Sequence, residues 1–521
     1  MKIQLIHPPV YLNVHAMTAL RPSMPLGLAY IAAIMERAGH QVSVVDAVAL
    51  APERVVPDGK VHRLGLDPED IVKRIDADTD LIGITNMWSF SWPLVRKILH
   101  LLKEAHPTKP ILAGGEHFTG LPELSFQQSP VDYIVMGEGE ETCEEFLEAF
   151  EHGQTKDGKS LEEIPGLAFR RGDEIVKNPR RERIKSVDSL PWPAWHLIDI
   201  DIYDEKSLVT GLHKGKTLPI LATRGCPYQC SYCSSPTMWT TRWYPRNPID
   251  VVDEIAHYKQ TYGATNFPFQ DLTAIIKKDW IVQFCNEIID RKLDIVWQFP
   301  SGTRCEVIDD EVAELLYRSG GRHLAFAPES GSEVTRELIK KRMKTESLLN
   351  AVEASVRHKL NVTAFFVIGF PHDKKEHIRD TVRLARKLAV KGIDDIAIGF
   401  YFPIPNTQIW RELVARGDFE VNDDSLMTPI FANDEKLLPD NNYCDHLTHK
   451  QLTWLKYKIL LNFYPVSFLT HPLRIFKIFF NVVRGKETRK LETFLVELKR
   501  KSGIWIRTKL RLGRPAAKPA G

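Results

Sequence analysis

The stretch from Arg224 to Pro236, R-G-C-P-Y-Q-C-S-Y-C-S-S-P, decides how the central part of this chain folds. It sets Cys226, Cys230 and Cys233 in a C-x3-C-x2-C pattern just after a short apolar strand candidate, Leu218 to Thr223. Thiolate is the soft ligand of iron–sulfur clusters, so three cysteines this close predict ligands for three irons of a 4Fe–4S cluster. No fourth cysteine lies nearby in the sequence, and one iron is therefore expected to stay open for chemistry.

Other interpretations of the cysteine pattern compete with this one. Zinc takes four ligands, usually as two close pairs, whereas this sequence holds a single triple with no further Cys or His at zinc spacing. Three unrelated buried thiols do not account for three cysteines in one strand-to-helix loop. A cluster that only carries electrons needs a fourth ligand, which Cys285 or Cys305 would have to supply from another strand–helix unit.

Length, charge and cysteine usage bound the class of protein. A chain of 521 residues exceeds what one core fills, so about two to four domains are expected. The net charge of +2 gives no reason to expect nucleic-acid binding. Seven cysteines, an odd number, and the absence of a signal peptide after Met1 predict a reducing compartment, the cytoplasm. No apolar run reaches the ~18–20 residues of a membrane-spanning helix.

The end of the chain is more basic than the rest. From Arg474 to Gly521 there are 14 Lys or Arg residues against 3 Asp or Glu, an excess of 11 positive charges. Helical patterns from Leu452 onward mix aromatic with basic residues, and Gly513 to Gly521 has the composition of a disordered tail. Two interpretations stay open: a helical bundle that covers the neighbouring domain with a solvated basic face, or peripheral contact with the anionic inner face of the membrane.

Apolar strands alternate with amphipathic helices near the N-terminus, which predicts a parallel, doubly wound sheet. The strand candidates are Lys2 to His7, Gln41 to Asp46, Asp80 to Thr85, Pro110 to Ala113 and Tyr133 to Met136, and the helices include Pro25 to Gly39 and Trp92 to Ala105. Ligands of such sheets bind at the carboxyl ends of the strands. Four loops rich in Gly, Pro and small polar residues follow these strands and predict a ligand crevice, at Pro8-Pro9, Asn86 to Ser89, Gly114 to His117 and Gly137 to Glu140.

A connector from Glu163 to Asp199 follows. It contains a predicted hairpin, Leu167 to Arg170 and Glu174 to Val176, that turns at Gly172-Asp173. It also contains the segment Leu190 to Trp195, L-P-W-P-A-W, in which prolines and tryptophans predict a rigid strap packed in a core rather than a substrate site.

Strand–helix alternation restarts at Leu218 and predicts a full or partial barrel of six βα units, with its chemistry at the carboxyl ends of the strands. After Leu218 to Thr223, the strand candidates are Asn266 to Gln270, Ile295 to Phe299, His323 to Ala327, Val362 to Ile368 and Asp395 to Phe400. The helices between them are Asp250 to Tyr262, Lys278 to Arg291, Asp310 to Ser319, Leu348 to Lys359 and Lys375 to Lys391. The cysteine loop follows the first of these strands, where a barrel enzyme places its active site.

The cysteine pattern with Tyr232 before its last cysteine resembles the radical S-adenosylmethionine (SAM) superfamily. Further along, E-S-G-S from Glu329, F-V-I-G-F-P from Phe366 and P-I-P-N-T from Pro403 resemble that family's later strand ends, and Gln270-Asp271 stands at its second strand in place of the usual Gly-Gly-Glu. The resemblance implies SAM contacts from Tyr232, Gln270, Asp271, Ser301, Arg304, Glu329, Ser330, Val367, Gly369 and Phe402.

The N-terminal motifs resemble the cobalamin-binding domains that are fused to radical SAM barrels. These motifs are P-L-G-L-A-Y-I-A from Pro25, G-G-E-H-F-T from Gly114 and V-D-Y-I-V-M-G-E-G-E from Val131. The resemblance implies cobalamin contacts from Pro9, Pro25, Leu26, Asn86, Met87, Gly114, Gly115, His117, Gly137, Glu138 and Gly139. The sequence lacks the Asp-x-His-x-x-Gly motif whose His ligates cobalt from below, so either cobalamin binds without that ligand or the domain has kept only the fold.

The resemblance implies an α/β architecture in four parts. These are a Rossmann-like cobalamin-binding domain (1–155), a linker with a hairpin (156–215), a (β/α)6 partial TIM barrel (216–425) and a C-terminal helical, basic region (426–521).

The resemblance also implies a reaction. A reduced 4Fe–4S cluster cleaves SAM, the resulting 5′-deoxyadenosyl radical removes hydrogen from an unactivated carbon, and methylcobalamin methylates that carbon. Oxidative ring closure or ring rearrangement without net methylation is the alternative, and an iron–sulfur electron carrier or a cobalamin-binding scaffold is the alternative of another class. The expected partners are a flavodoxin- or ferredoxin-type electron donor and a hydrophobic substrate such as a lipid, a hopanoid-like polycycle or a tetrapyrrole.

Overall fold

The computed structural model describes residues 1–14, 22–209, 211–212, 215–431, 442–484, 491–492 and 495–496. The strands in chain order are β1 Lys2–His7, β2 Val10–Leu12, β3 Gln41–Asp46, β4 Val55–Asp58, β5 Val61–Leu64, β6 Leu81–Thr85, β7 Ile111–Gly114, β8 Tyr133–Val135, β9 Leu167–Arg171, β10 Glu174–Lys177, β11 Thr223–Gly225, β12 Trp243–Pro245, β13 Asn266–Pro268, β14 Val296–Thr303, β15 Gly321–Glu329, β16 Asn361–Ile368 and β17 Asp395–Phe400. The α-helices are α1 Leu26–Arg37, α2 Pro68–Val72, α3 Trp92–Ala105, α4 Glu116–Gly120, α5 Pro122–Gln128, α6 Glu140–His152, α7 Ile200–Glu205, α8 Ser235–Met238, α9 Pro248–Tyr262, α10 Lys278–Asp290, α11 Asp310–Arg318, α12 Glu333–Leu338, α13 Thr345–Arg357, α14 Lys375–Lys391, α15 Gln408–Ala415, α16 Asp423–Leu426, α17 Thr428–Phe431, α18 His449–Thr470 and α19 Leu473–Val483.

The first sheet has the order β10-β9-β8-β7-β6-β1-β3. Five neighbouring strands of this sheet, β8, β7, β6, β1 and β3, are parallel, as the alternation of strands and helices predicts. The predicted hairpin is present as β9 and β10, and β9 pairs antiparallel with β8. The hairpin therefore extends the first sheet instead of standing apart from it. A small antiparallel sheet, β2-β5-β4, has no counterpart among the predictions.

The second sheet is parallel, in the order β13-β14-β15-β16-β17. Residues 217–220 run beside β13 through bridges from Thr217 to Asn266 and from Ile220 to Phe269, which supplies the predicted first strand in irregular form. The predicted six-unit order is thus confirmed. β14 and β15 run further toward their carboxyl ends than predicted, to Thr303 and Glu329.

The predicted strap, Leu190 to Trp195, packs against both units. Trp195 has no exposed surface, and the Ala194 amide donates to the carbonyl of Ala29 in α1 at 3.0 Å. The ring of Trp192 packs 5.4 Å from that of His257 in α9. The packing interpretation of these tryptophans is confirmed, because one lies in the core of the first unit and the other against the second.

The segments after β17 pack back on both units. Arg96 of α3 forms an ion pair with Asp423 of α16 at 2.6 Å, which ties α16 to the first unit. α18 packs against α14, and Leu452 lies 3.0 Å from where a Cβ at Gly369 would stand, so this helix covers the barrel beside β17. Most of the basic C-terminal stretch and the predicted disordered tail lie outside the described residues.

Within the described part of the chain, no individual helix combines the length and apolar character required to cross a bilayer. α18 and α19 meet these criteria only as a pair, and the chain bends by 103° between them.

Candidate active site

The cysteine loop is held by backbone pairing at both ends. Its root, β11, pairs with β12, and Asp271 braces that root by accepting from the Thr223 hydroxyl at 2.6 Å and the Ala222 amide at 3.2 Å. In the middle of the loop, the Ser231 amide donates to Ile339 at 3.0 Å. These bonds fix the loop at the carboxyl ends of the barrel strands.

The three cysteines lie together in this loop. Cys230 is buried, Cys226 and Cys233 are partly buried, and the Cys233 sulfur accepts a hydrogen bond from the Ser235 amide at 3.4 Å. Burial raises the pKa of each thiol, to about 12 for Cys233. Lys341 acts against this shift at all three cysteines, so a cation is already present to stabilise thiolates.

The donor set fits a cluster better than a single ion. Among the residues that the structure describes, no three His, Cys, Asp or Glu side chains converge on one metal position. A single ion needs its ligands about 2.0–2.3 Å away, whereas each thiolate of a cluster binds a different iron. Cys285 lies on the buried face of α10, outside the cysteine loop.

Glu329, Tyr232 and Lys341 form a buried polar group beside the loop. The Tyr232 hydroxyl donates to Glu329 Oε1 at 2.8 Å, and Lys341 Nζ donates to the same oxygen at 3.0 Å. Burial acts to lower the pKa of Lys341, but Glu329 and Cys230 together outweigh it and the pKa is raised, so the cation persists. Glu329 has a positive φ of 60°, an uncommon backbone conformation for this residue type.

The other residues predicted for SAM stand at the carboxyl ends of successive barrel strands. Arg304 stacks on Tyr228 with its guanidinium carbon 3.9 Å from the ring centre, which connects β14 to the cysteine loop. Ser301 is exposed, Ser330 is buried, and Gln270, Val367, Gly369 and Phe402 are buried or partly buried at their strand ends. Asp271 is an exception, because both its oxygens bond to the root of the loop; burial raises its pKa to about 6.

At the carboxyl edge of the first sheet, two backbone segments approach each other closely. Gly115 has φ +111°, and a Cβ there would lie 2.6 Å from the Asn86 carbonyl oxygen, so only glycine allows this approach. Asn86 is 1 % exposed, and its side-chain amide nitrogen, Nδ2, has no hydrogen-bond partner among the described residues. A buried donor without a partner is costly unless a ligand supplies the acceptor.

His117 lies beneath this edge. Its ring stacks on Trp92 with centroids 4.5 Å apart, and Nδ1 lies 3.1 Å from the Ser89 hydroxyl. Burial lowers the pKa of His117 to about 3, so the imidazole is neutral. Its Nε2 has no partner in the described residues.

The remaining residues predicted for cobalamin surround the same edge. Met87 and its neighbour Trp88 are 48 % and 59 % exposed, which forms an apolar wall on the loop after β6. Pro9 and Pro25 are buried, and Leu26, Gly114, Gly137 and Gly139 stand at the ends of β7 and β8 or the start of α1 with partial burial or burial.

Glu138, predicted to contact cobalamin, lies in a buried ion-pair cluster with two arginines. Its carboxylate accepts from Arg183 Nε at 2.6 Å and from Arg224 Nη1 at 3.3 Å, while Arg224 Nη2 donates to Glu140 at 2.6 Å. Burial acts to raise the pKa of Glu140, but Arg224 outweighs it and the pKa is lowered. Sequence reasoning missed both arginines, although Arg224 lies next to the cysteine pattern.

A second contact joins the two edges. Burial raises the pKa of Glu116, at the start of α4, and the hydroxyl group of Ser234, the residue after Cys233, acts against this shift. α4 also packs against α8. The carboxyl edge of the first sheet therefore faces the cysteine loop of the barrel.

Comparison with known families gives this arrangement its context. Residues 14–147 match the B12 binding domain family, and residues 220–385 match the radical SAM superfamily. This chain belongs to the cobalamin-binding radical SAM enzymes. The cofactors of such an enzyme are a 4Fe–4S cluster, SAM and cobalamin, as predicted.

Curated relatives of this radical SAM enzyme include several activities. An uncharacterized methyltransferase of Pyrococcus horikoshii is 28% identical over 89% of this chain and 92% of its own length. Cytidylyl-2-hydroxyethylphosphonate methyltransferase of Streptomyces wedmorensis is 28% identical over 80% of this chain and 82% of its own. The anaerobic magnesium-protoporphyrin IX monomethyl ester cyclase of Rubrivivax gelatinosus is 24% identical over 83% and 74%.

The fold is shared with a solved radical SAM methyltransferase, TsrM from Kitasatospora setae. That structure, which holds cobalamin and a [4Fe-4S] cluster, aligns with a TM-score of 0.62 over 80% of this chain and 75% of its own, at 18% identity. The similarity supports the predicted two-unit α/β architecture.

Proposed function

We propose that this enzyme transfers a methyl group to an unactivated carbon of a hydrophobic small molecule. The observation that carries the proposal is the contact between the two cofactor edges. α4 of the first unit packs against α8, which begins two residues after Cys233, and Arg224, two residues before Cys226, bonds to Glu138 and Glu140. A substrate between these edges would be within reach of both cofactors, which is the proximity that such a two-cofactor reaction requires.

When bound, the cluster and SAM supply a 5′-deoxyadenosyl radical and cobalamin supplies a methyl group. The chain's own residues would bind and position these groups. Cys226, Cys230 and Cys233 would hold the cluster, and Lys341, a buried cation beside the Glu329 carboxylate, would bind the negative charge of SAM. At the other edge, Asn86 Nδ2 and His117 Nε2, which have no partner among the described residues, would hold cobalamin.

Apolar side chains at both edges support a hydrophobic substrate. Met87 and Trp88 are exposed at the end of β6, and Leu272, just after β13, is 46 % exposed. Large exposed apolar groups at a ligand crevice favour apolar ligands. A lipid chain, a hopanoid-like polycycle and a tetrapyrrole all have this chemistry.

Anaerobic reconstitution with iron, sulfide and cobalamin tests the proposal. After reduction, the wild type is expected to form 5′-deoxyadenosine from SAM, and Cys230→Ala is expected to form none. Cys285→Ala is the matched control, because this buried cysteine lies on α10 outside the loop. Equal 5′-deoxyadenosine from the wild type and Cys230→Ala would refute the assignment and favour an electron carrier or a cobalamin scaffold.

Oxidative cyclisation is the second candidate, because a cyclase is among the curated relatives. SAM with a mass-labelled methyl group separates the two. Transfer of the label to product supports methylation, and an unlabelled product that has lost hydrogen supports cyclisation.

We also propose that α19 contacts an anionic membrane surface. Four apolar residues share one helical face and are 54–70 % exposed, namely Leu473, Phe476, Phe480 and Val483. Lys477 and Arg484 lie on the same helix or at its end, and the following sequence is strongly basic. Apolar insertion together with positive charge is the chemistry that binds anionic lipid surfaces.

Sedimentation with phosphatidylglycerol vesicles tests the membrane proposal. The double variant Phe476→Ser/Phe480→Ser is expected to bind at least about tenfold more weakly, since each buried Phe contributes roughly 1.5–3 kcal/mol. Val334→Ser/Val390→Ser is the control, because both valines are 54 % exposed on other helices. Equal binding of both double variants and the wild type would refute the proposal.

Two further expectations complete the proposal. All seven cysteines lie in the described residues and are free thiols, which is consistent with a reducing compartment, the cytoplasm. Reduction of the cluster needs a one-electron donor of the flavodoxin or ferredoxin type.

A further inference from the structure

Four buried charged residues join the first unit to the cysteine loop: Glu138, Glu140, Arg183 and Arg224. We propose that this interdomain clamp couples the cobalamin site to the cluster site, so that a bound cluster raises the affinity for cobalamin and the reverse. The inference rests on the two cofactors of the proposed function and not on methyl transfer. Glu138 and Glu140 act as positioning residues through their arginine partners, not as ligands of cobalamin.

The burial of the interdomain clamp makes it dependent on the contact between the two units. All four side chains are 3–6 % exposed. Ionised groups are costly to bury unless they are paired and hydrogen-bonded. Each arginine would be left as an uncompensated charge if the loop after β8 moved away. The ion pairs are therefore stable only while that loop and the cysteine loop remain in contact.

Arg183 extends the contact to the far side of the cysteine loop. Its Nη1 donates to the carbonyls of Trp239 and Arg242, and its guanidinium lies over the rings of Trp239 and Tyr244 at 5.1 and 5.4 Å. These residues follow the cysteines in the chain, whereas Arg224 precedes them. The interdomain clamp thus holds the cysteine loop at both of its ends.

The position of Glu138 in the sequence explains the coupling. It lies between Gly137 and Gly139, on the loop predicted to contact cobalamin, and Arg224 lies two residues before Cys226. A cluster that orders the cysteine loop would order the Glu138 loop through the interdomain clamp, so cobalamin would bind a loop that is already arranged. Linkage requires that cobalamin favour the cluster by the same factor.

Cobalamin affinity of the full chain, with and without a reconstituted cluster, tests the coupling. Titration with hydroxocobalamin, followed by absorbance, is expected to show roughly tenfold tighter binding in the cluster-loaded wild type, within the usual range of allosteric coupling. Glu138→Gln keeps the shape but removes the charge, and its two affinities are expected to be equal. Glu141→Gln is the control, because Glu141 is 49 % exposed and pairs with Arg181 at 3.3 Å on the outside of α6; it should keep the wild-type ratio.

Two results would overturn the inference: a wild-type affinity that does not depend on the cluster, or a Glu138→Gln variant that keeps the wild-type ratio. If Glu138→Gln does not fold, Arg183→Lys decides, since lysine keeps the charge but has all its donors on one nitrogen and cannot reproduce the separate Nε bond to Glu138 and Nη1 bonds to the two carbonyls. Loss of the ratio in that variant supports the coupling, and its retention overturns it. Failure of the proposed function is distinguishable, because it would remove 5′-deoxyadenosine or labelled product while leaving the affinity ratio intact.

Discussion

Gly225 is the position where one added methyl group tests how the cysteine loop is held. Its φ is +87°, and a Cβ would overlap the Arg242 carbonyl oxygen and lie 2.9 Å from Arg183 Nη1. Left-handed backbone costs a residue with a Cβ about 1–2 kcal/mol, and forcing a methyl group into packed structure adds about 1–3 kcal/mol. Gly225→Ala is therefore expected to lower the free energy of unfolding of the barrel by about 2–5 kcal/mol.

The matched control is Gly263→Ala, because Gly263 ends α9 of the same barrel with a φ of +69° and nothing within 4 Å of its Cβ. Only the backbone cost applies there, about 1–2 kcal/mol. For a unit of the barrel's size, each kcal/mol lowers Tm by about 2–4 °C, so differential scanning fluorimetry should show shifts of roughly 4–20 °C for Gly225→Ala and 2–8 °C for the control. Iron content should fall only in Gly225→Ala. Equal Tm shifts and equal iron content would refute the proposed packing around the loop.

Three further changes test the site. Tyr232→Phe removes the donor to Glu329 and, because hydrogen bonds to charged groups contribute about 1.5–3 kcal/mol, should slow 5′-deoxyadenosine formation at least about tenfold; an unchanged rate would contradict this role. In urea unfolding, the wild type is expected to be about 2 kcal/mol less stable at pH 5 than at neutral pH, and His117→Phe should not show this decrease. Burial lowers the pKa of His117 to about 3, so its contribution to stability is present above the unfolded pKa of about 6.5 and is lost as pH falls toward 3. The same dependence of stability on pH in the variant would contradict this role of His117. Gly115→Ala, whose Cβ would meet the Asn86 backbone, should lower bound cobalamin in purified protein, and full retention would contradict the edge geometry.

Local patterns predicted most of the elements. The strand Lys2–His7 and the helices Trp92–Ala105 and Lys375–Lys391 have the predicted bounds, because their apolar spacing is strong and glycine or proline marks their ends. The small sheet β2-β5-β4 was missed, since its strands are three or four residues long and two of them contain a charged residue, Asp58 in β4 and Arg63 in β5. Its pairing depends on neighbours rather than on its own pattern.

The candidate site was predictable as far as its motifs reach. The cysteine loop and the glycine loops can be recognised from the spacing of their residues. The partners of Glu138 cannot, because Arg183 and Arg224 lie 45 and 86 residues away in the chain. A carboxylate in a glycine-rich loop has the same local pattern whether it meets a ligand or an arginine. Only tertiary structure separates these two roles.

The backbone at Glu329 carries a consequence for engineering. A glycine would adopt its φ of +60° without the cost of about 1 kcal/mol or more that a side chain incurs. The same change would delete the carboxylate that Tyr232 and Lys341 bind. Loss of this carboxylate would leave the nearly buried Lys341 as an uncompensated cation, which costs about 3–5 kcal/mol and outweighs the backbone gain. The left-handed backbone at position 329 is therefore retained by the ion pair that it positions, and a redesign that relaxes it would lose stability together with the active site.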